Sequence, residues 1–218
     1  MALTFPLSRA DFYESLKVEA VEFRAPVQQS LTGVGDGTII RHNLGPQLWE
    51  GEVTLIPSTH REAVEIEALL ARLEEPGTSF FAYDPRVIGP RSDPDGDALD
   101  GLSLELEEVS GGREIAIRNL PAGFEISRGD MVSFRYQNGG TTRYALHRVV
   151  TGATAASTGI TPLMEVTPAV RPGAAAGDPV ELVRPYCKAV MIPDSVMYGA
   201  GRAVFTEGAS FAFRQQLR

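Results

Sequence analysis

The chain has a single cysteine, Cys187, and therefore no internal disulfide framework. That suits a protein made and kept in a reducing compartment. No apolar run approaches the ~20 residues that a membrane-spanning helix needs, so no membrane insertion is expected. The opening residues, Met1-Ala2-Leu3-Thr4-Phe5-Pro6-Leu7, lack both the basic stretch and the long apolar stretch of a secretory signal. Cations are outnumbered, 20 Lys and Arg against 28 Asp and Glu, giving a net charge of −8. A reader of nucleic-acid sequence must meet phosphates with Lys and Arg, and this balance argues against one. The sequence holds no G-x-S-x-G elbow, no phosphate-loop lysine and no H-E-x-x-H pair.

Glycine and proline, by contrast, are plentiful: 22 and 15 in 218 residues. So many breakers leave little room for long helices and point to short strands joined by turns. Residues 16–56 read as strands. Trp49, Gly51, Val53 and Leu55 alternate with Glu50, Glu52 and Thr54, the period of a half-buried strand that Pro57 ends. A turn at Gly33-Val34-Gly35-Asp36-Gly37 feeds Thr38-Ile39-Ile40. One helix stands out over 60–75. Thr59-His60-Arg61-Glu62 has capping-box form, Ala63, Ile66, Leu70 and Leu73 share a face, and Pro76-Gly77 stops it.

After a short strand at 78–83, Asp84 to Gly101 is broken by repeated proline and glycine and reads as a linker or long excursion. Strands resume as Leu102, Leu104 and Leu106 alternate with Ser103, Glu105 and Glu107. Val132, Phe134 and Tyr136 then alternate with Met131, Ser133 and Arg135, and Asn138-Gly139-Gly140 turns the chain into 142–150. Gly129-Asp130 and Gly177-Asp178 open two similar segments, each read as a tight turn launching a strand. The tail carries Ala189-Val190-Met191-Ile192 and a last strand with Phe211 and Phe213 on one face, a row that needs the strands of 16–56 to pair with. The expected architecture is mainly β. A β-sandwich with one packed α-helix takes residues 1–90 and 184–218, and a small β-barrel module at 95–183 is inserted into it.

Chemistry is sparse. His42, His60 and His147 are not at ligand spacing and read as a turn, a helix start and a strand face. Asp93-Pro94-Asp95-Gly96-Asp97 with Asp100 has the carboxylate density of a calcium loop. Its glycine stands fourth instead of sixth, however, and no glutamate closes it, so no metal is expected. Gly33-x-Gly35-x-Gly37 leads to a strand, whereas a phosphate cradle needs a helix N-terminus. Cys187, at a strand start, reads as a small buried hydrophobe. Trp49 and Tyr136 are the available platforms for a carbohydrate-binding sandwich, though Trp49 falls in an alternating strand and suits a core. Seven acids at 93–108 (Asp93, Asp95, Asp97, Asp100, Glu105, Glu107, Glu108) stand without a Lys or Arg, either a solvated face or a wall that repels a passing polyanion. No catalytic, cofactor-binding or metal residues are assigned, and no enzyme is expected.

In series, Gln47-Leu48-Trp49-Glu50-Gly51-Glu52-Val53-Thr54-Leu55, the capped helix and Ser79-Phe80-Phe81-Ala82-Tyr83-Asp84-Pro85 resemble the N-terminal half of distal tail proteins of long-tailed bacteriophages and related prophages. Ser127-Arg128-Gly129-Asp130, Ala145-Leu146-His147-Arg148, Arg171-Pro172-Gly173 and Cys187-Lys188-Ala189-Val190 are similar to their second half. The resemblance implies a structural virion protein. It forms a homohexameric ring between the tail tube protein and the baseplate hub protein, with a lumen for passage of double-stranded DNA. A second β domain projects outward and can carry receptor-binding proteins. The implied location is the virion tail tip, assembled in the bacterial host cytoplasm. A tail tube or other baseplate subunit is the nearest rival, and the inserted module favours the distal ring.

Overall fold

The computed structural model describes residues 3–33, 35 and 37–217; Met1, Ala2, Arg218 and two residues of the glycine-rich turn, Val34 and Asp36, lie outside the described residues. In chain order the strands are β1 (Val18–Arg24), β2 (Gln29–Gly33), β3 (Ile39–Asn43), β4 (Glu50–Leu55), β5 (Phe80–Tyr83), β6 (Glu105–Ser110), β7 (Glu114–Arg118), β8 (Glu125–Ile126), β9 (Met131–Asn138), β10 (Thr141–Val149), β11 (Ala153–Thr154), β12 (Met164–Thr167), β13 (Val180–Glu181), β14 (Tyr186–Met191), β15 (Met197–Gly201) and β16 (Thr206–Gln215). One α-helix, α1 (His60–Leu73), lies between β4 and β5. The protein is mainly β with one helix.

The first sheet runs β1-β4-β16-β14-β5, with β15 paired to the first half of β16. Its inward rows are those of the alternating pattern: Gly51, Val53 and Leu55 on β4, Phe211 and Phe213 on β16, and Cys187, Ala189 and Met191 on β14 are all buried. Phe211 lies opposite Val53 and Phe213 opposite Gly51, so the chain end pairs with a strand of the 16–56 segment. Over this face pack α1, through Leu70 and Leu73, and an N-terminal segment carrying Leu7, Phe12, Tyr13 and Leu16. The capping box forms as the sequence requires: Thr59 Oγ1 accepts from Glu62 N, and the Glu62 carboxylate accepts from Thr59 N at 3.2 Å. The helix ends at Leu73, two residues before the predicted stop, and the single Thr78 hydroxyl proton is within reach of the Leu73 carbonyl at 2.8 Å and of the Glu75 carbonyl at 2.7 Å.

The second sheet, β13-β9-β10-β12-β7-β6, is built wholly from the chain between β5 and β14. Its outer strands meet: Glu105 bridges Pro179, Leu106 N donates to Asp178 O, and Val180 N donates to Leu104 O. The sheet thus curls until its edges join around a core of its own that includes Leu106, Ile115, Ile117, Phe134, Val166 and Leu182. The two glycine-aspartate turns are built alike. In each, the aspartate N–H donates back to a carbonyl three residues earlier while its carboxylate accepts from that residue's N–H, Ser127 for Asp130 and Ala175 for Asp178. Gly129 (φ 98°) and Gly177 (φ 90°) supply the left-handed backbone that such turns need. They launch β9 and β13, which pair with each other.

Two expectations change. The strand read from Leu102 begins at Glu105; Leu102 is exposed, after Gly101 turns the chain with φ 72°. The alternation read along β9 holds only in its second half. Met131, Val132, Ser133 and Phe134 are all buried, because both faces of that strand are covered. The Val132 face belongs to the second core, while Met131 and, from β10, Leu146 pack into the first.

Candidate interaction surfaces

The groups singled out for chemistry do not converge. His42 is exposed on β3, and His60 opens α1 with Nδ1 2.9 Å from Thr206 Oγ1. His147 is buried on β10, and Cys187 is a free thiol buried on β14, where burial pushes its pKa up, away from a nucleophilic thiolate. Among the described residues, no group of three or more His, Cys, Asp or Glu side chains is placed to hold a metal ion. Trp49 and Tyr136 are both buried, so neither ring is available as a sugar platform. Gly33 ends β2 and Gly37 (φ 86°) precedes β3, which makes the glycine-rich segment the apex of a hairpin.

The acidic stretch is narrower than its composition implied. Arg118, reaching across from β7, holds Glu105 at 2.5 Å and Glu107 at 3.3 Å. Asp93 turns inward and accepts from Ala98 N at 3.1 Å, pinning a short 3-10 turn at Asp97–Leu99. Asp95, Asp97, Asp100 and Glu108 remain exposed. Cross-strand pairing joins residues distant in sequence, which is why a local charge count missed Arg118.

Where the two sheets meet, the contacts are specific. The Trp49 indole N–H donates to Leu146 O at 2.6 Å, and the Gln215 side chain accepts from Trp49 N and donates to Tyr144 O. The Arg148 guanidinium lies 5.2 Å from the Trp49 ring centre. It also approaches Asp84, whose carboxylate is buried and held by Arg86 through two bonds of 2.8 Å. Phe81, Tyr144 and Tyr186 form an edge-on aromatic trio across the same joint, with centroids 4.8 Å apart for Phe81–Tyr144 and for Phe81–Tyr186. Arg9–Glu181 and Arg184–Glu14 ion pairs rim it. The predicted linker is tied down as well, by Arg91 N to Asp130 and Ser92 Oγ to Glu125 O.

Unsatisfied surface lies elsewhere. Among the described residues the ribbon β2–β3 pairs only with itself, and nine of its ten strand residues are exposed. Leu31 (66% exposed) and Ile39 (61%) stand on it, with Ile40 beside them and Val27 and Leu44 (71%) at its base. A lone two-stranded ribbon is marginal in water. A second set of exposed apolar side chains runs along the β15–β16 hairpin, with Met197 and Tyr198 at the start of β15, opposite Ser210 and Ala209, and Val204 (75%) and Phe205 at the turn. The strand β15 is exposed throughout, carries no charge (Met197-Tyr198-Gly199-Ala200-Gly201) and pairs on one side only. The edge strand β1, by comparison, is guarded by Glu19, Glu22 and Arg24.

The ribbon and the β15–β16 turn, with Val204 and Phe205, lie at opposite ends of one ladder. Arg24 pairs with Glu50 where the β2–β3 ribbon departs, while Ser58 bridges Thr206 where β16 begins. Eight residues of extended chain separate those points, roughly 25 Å. Sequence reading missed both groups, because its periodic patterns locate buried rows. The available signals were the adjacent Ile39-Ile40 beyond a glycine-rich apex and an uncharged Met197–Gly201.

No protein-family model matches the chain, and no curated protein matches it in sequence.

Proposed function

We propose that the chain is a structural subunit that assembles with copies of itself into a ring at the tip of a long-tailed phage tail, between tail tube and baseplate hub, around a lumen that DNA crosses. The observation that carries self-assembly is the pair of apolar surfaces at opposite ends of the β4–β16 ladder. Exposed apolar clusters mark interaction sites. Two different surfaces on one chain meet head to tail, and such contacts generate rings when the rotation closes. The resemblance to distal tail proteins supplies the setting. The net charge of −8 suits a channel that a polyanion must cross without sticking.

Light scattering and negative-stain imaging of the purified chain, alone and with a tail tube protein, test this reading. A ring with a central hole is expected. Leu31→Asp on the ribbon and Val204→Asp at the other end should each leave monomers. Mixed together, the two variants retain one intact surface apiece and should stop at dimers. A parent chain that is monomeric under both conditions overturns the reading, and a mixture that stays monomeric overturns the head-to-tail pairing.

A further inference from the structure

His147 lies at the joint in an arrangement that the assembly reading does not use. Its Nδ1 is 2.7 Å from Pro168 O; a carbonyl only accepts, so Nδ1 carries the proton and Nε2 is a bare acceptor. Nε2 is buried and has no hydrogen-bond partner among the described residues. The ring stacks on Phe134 with centroids 5.2 Å apart and planes inclined by 15°. Beside it is a small cavity to which both halves contribute: Gln47, Gln215 and Leu217 from the first, Tyr136, Tyr144 and Arg171 from the second.

We propose that this joint is acid-sensitive, closed while His147 is neutral and loosened when Nε2 gains a proton. A protonated ring would place a charge in the interior and turn Nε2 into a donor at a point where no acceptor among the described residues stands at hydrogen-bond distance. The neighbouring groups aggravate this. Arg171 repels the charge. Arg143 stands four residues earlier on the same face of β10, and facing β9 presents Val132, Phe134 and the phenol of Tyr136. The first half contributes only the neutral Gln47, Gln215 and Leu217. No carboxylate is among them. Burial accordingly lowers the imidazole pKa to about 4. The strain reaches the joint directly, because His147 sits between Leu146, whose carbonyl holds the Trp49 indole, and Arg148, whose guanidinium covers it. Swinging the ring out to solvent moves both holds together. As pH falls from about 6.5, the pKa of a free imidazole, toward 4, the open joint binds the proton more readily than the closed one and gains population.

Trp49 is the only tryptophan, so the joint carries its own fluorophore. The full chain is titrated from pH 7.5 to 4.0, with emission and far-ultraviolet circular dichroism recorded together. The expected result is a red shift of Trp49 emission with the β signal unchanged, abolished in His147→Asn, whose amide can still donate to Pro168 O but cannot charge. Emission that stays constant to pH 4.0, an equal shift in parent and variant, or simultaneous loss of the β signal overturns the proposal. Should His147→Asn fail to fold, nitrogen NMR of the parent imidazole decides. Protonation of Nε2 that tracks the emission change supports the joint, while a ring that titrates as a free imidazole or stays neutral throughout the change refutes it.

Discussion

Gly51 lies between two aromatic rings, opposite Phe23 on β1 and Phe213 on β16. A Cβ placed on it would fall 2.3 Å from Phe213 Cζ and 2.4 Å from Cε1, more than an ångström inside ordinary contact. The ring has nowhere to go, since Tyr13, Phe23 and Phe80 hem it at centroid distances of 5.8, 5.9 and 5.6 Å. Overpacking of this kind costs about 1–3 kcal/mol. Alanine also narrows the unfolded ensemble and recovers about 0.5–1 kcal/mol. The net expectation for Gly51→Ala is a loss of roughly 1–2 kcal/mol, or a Tm lower by about 3–6 °C for a chain of this size. Thermal melting by circular dichroism at fixed pH reads it. Phe213→Leu removes the offending atoms, so the double variant should lose less than the two singles summed, with a coupling of about 0.5–3 kcal/mol. A Gly51→Ala chain that melts at or above the parent temperature, or strict additivity with Phe213→Leu, would show that the ring is not locked on the glycine.

Leu70 on α1 is fully buried in the first core, and Leu70→Ala should cost about 2–5 kcal/mol, whereas Glu65→Ala on the exposed face should cost little; denaturant melts of the two distinguish them. His147 also sets a pH dependence. Its folded pKa of about 4 lies below the free value, so its contribution is complete above pH ~7 and falls by about 3 kcal/mol between pH 6.5 and 4. Urea unfolding across that window should therefore slope upward with pH in the parent and more weakly in His147→Asn. Removing residues 206–218 deletes the strand paired with both β4 and β14, and should abolish assembly and cooperative melting of the first sheet. A truncated chain that still forms rings would refute its closing role.

Much of the fold was legible because the patterns that carry it are local. The Thr59–Glu62 box, the α1 face, the inward rows of β4 and β16 and the Gly139-Gly140 hairpin all follow from spacing within a dozen residues. What escaped depends on long-range pairing. The Arg118 claim on Glu105 and Glu107 crosses a hairpin, and the burial of Met131 and Ser133 requires a second layer that no period in β9 announces. The exposed ribbon escaped for a different reason. Periodicity identifies side chains destined for an interior, and Leu31, Ile39 and Ile40 have none within their own chain.

The double coverage of β9 bears on how such a chain diversifies. Met131 and Leu146 sit in the inserted segment yet complete the interior of the host sheet, alongside Trp49 and Phe213. Excision of the insert would uncover a greasy floor on one side and leave two stranded aliphatic side chains on the other. The segment is therefore a keyed part, and any replacement grafted at the same junction must present two apolar side chains and a backbone carbonyl for the Trp49 indole. The loop Ala156–Gly159, bonded to Ile160 and Leu120 of its own segment, is free of that obligation, and sequence drift between homologues should concentrate at its exposed Ser157 and Thr158.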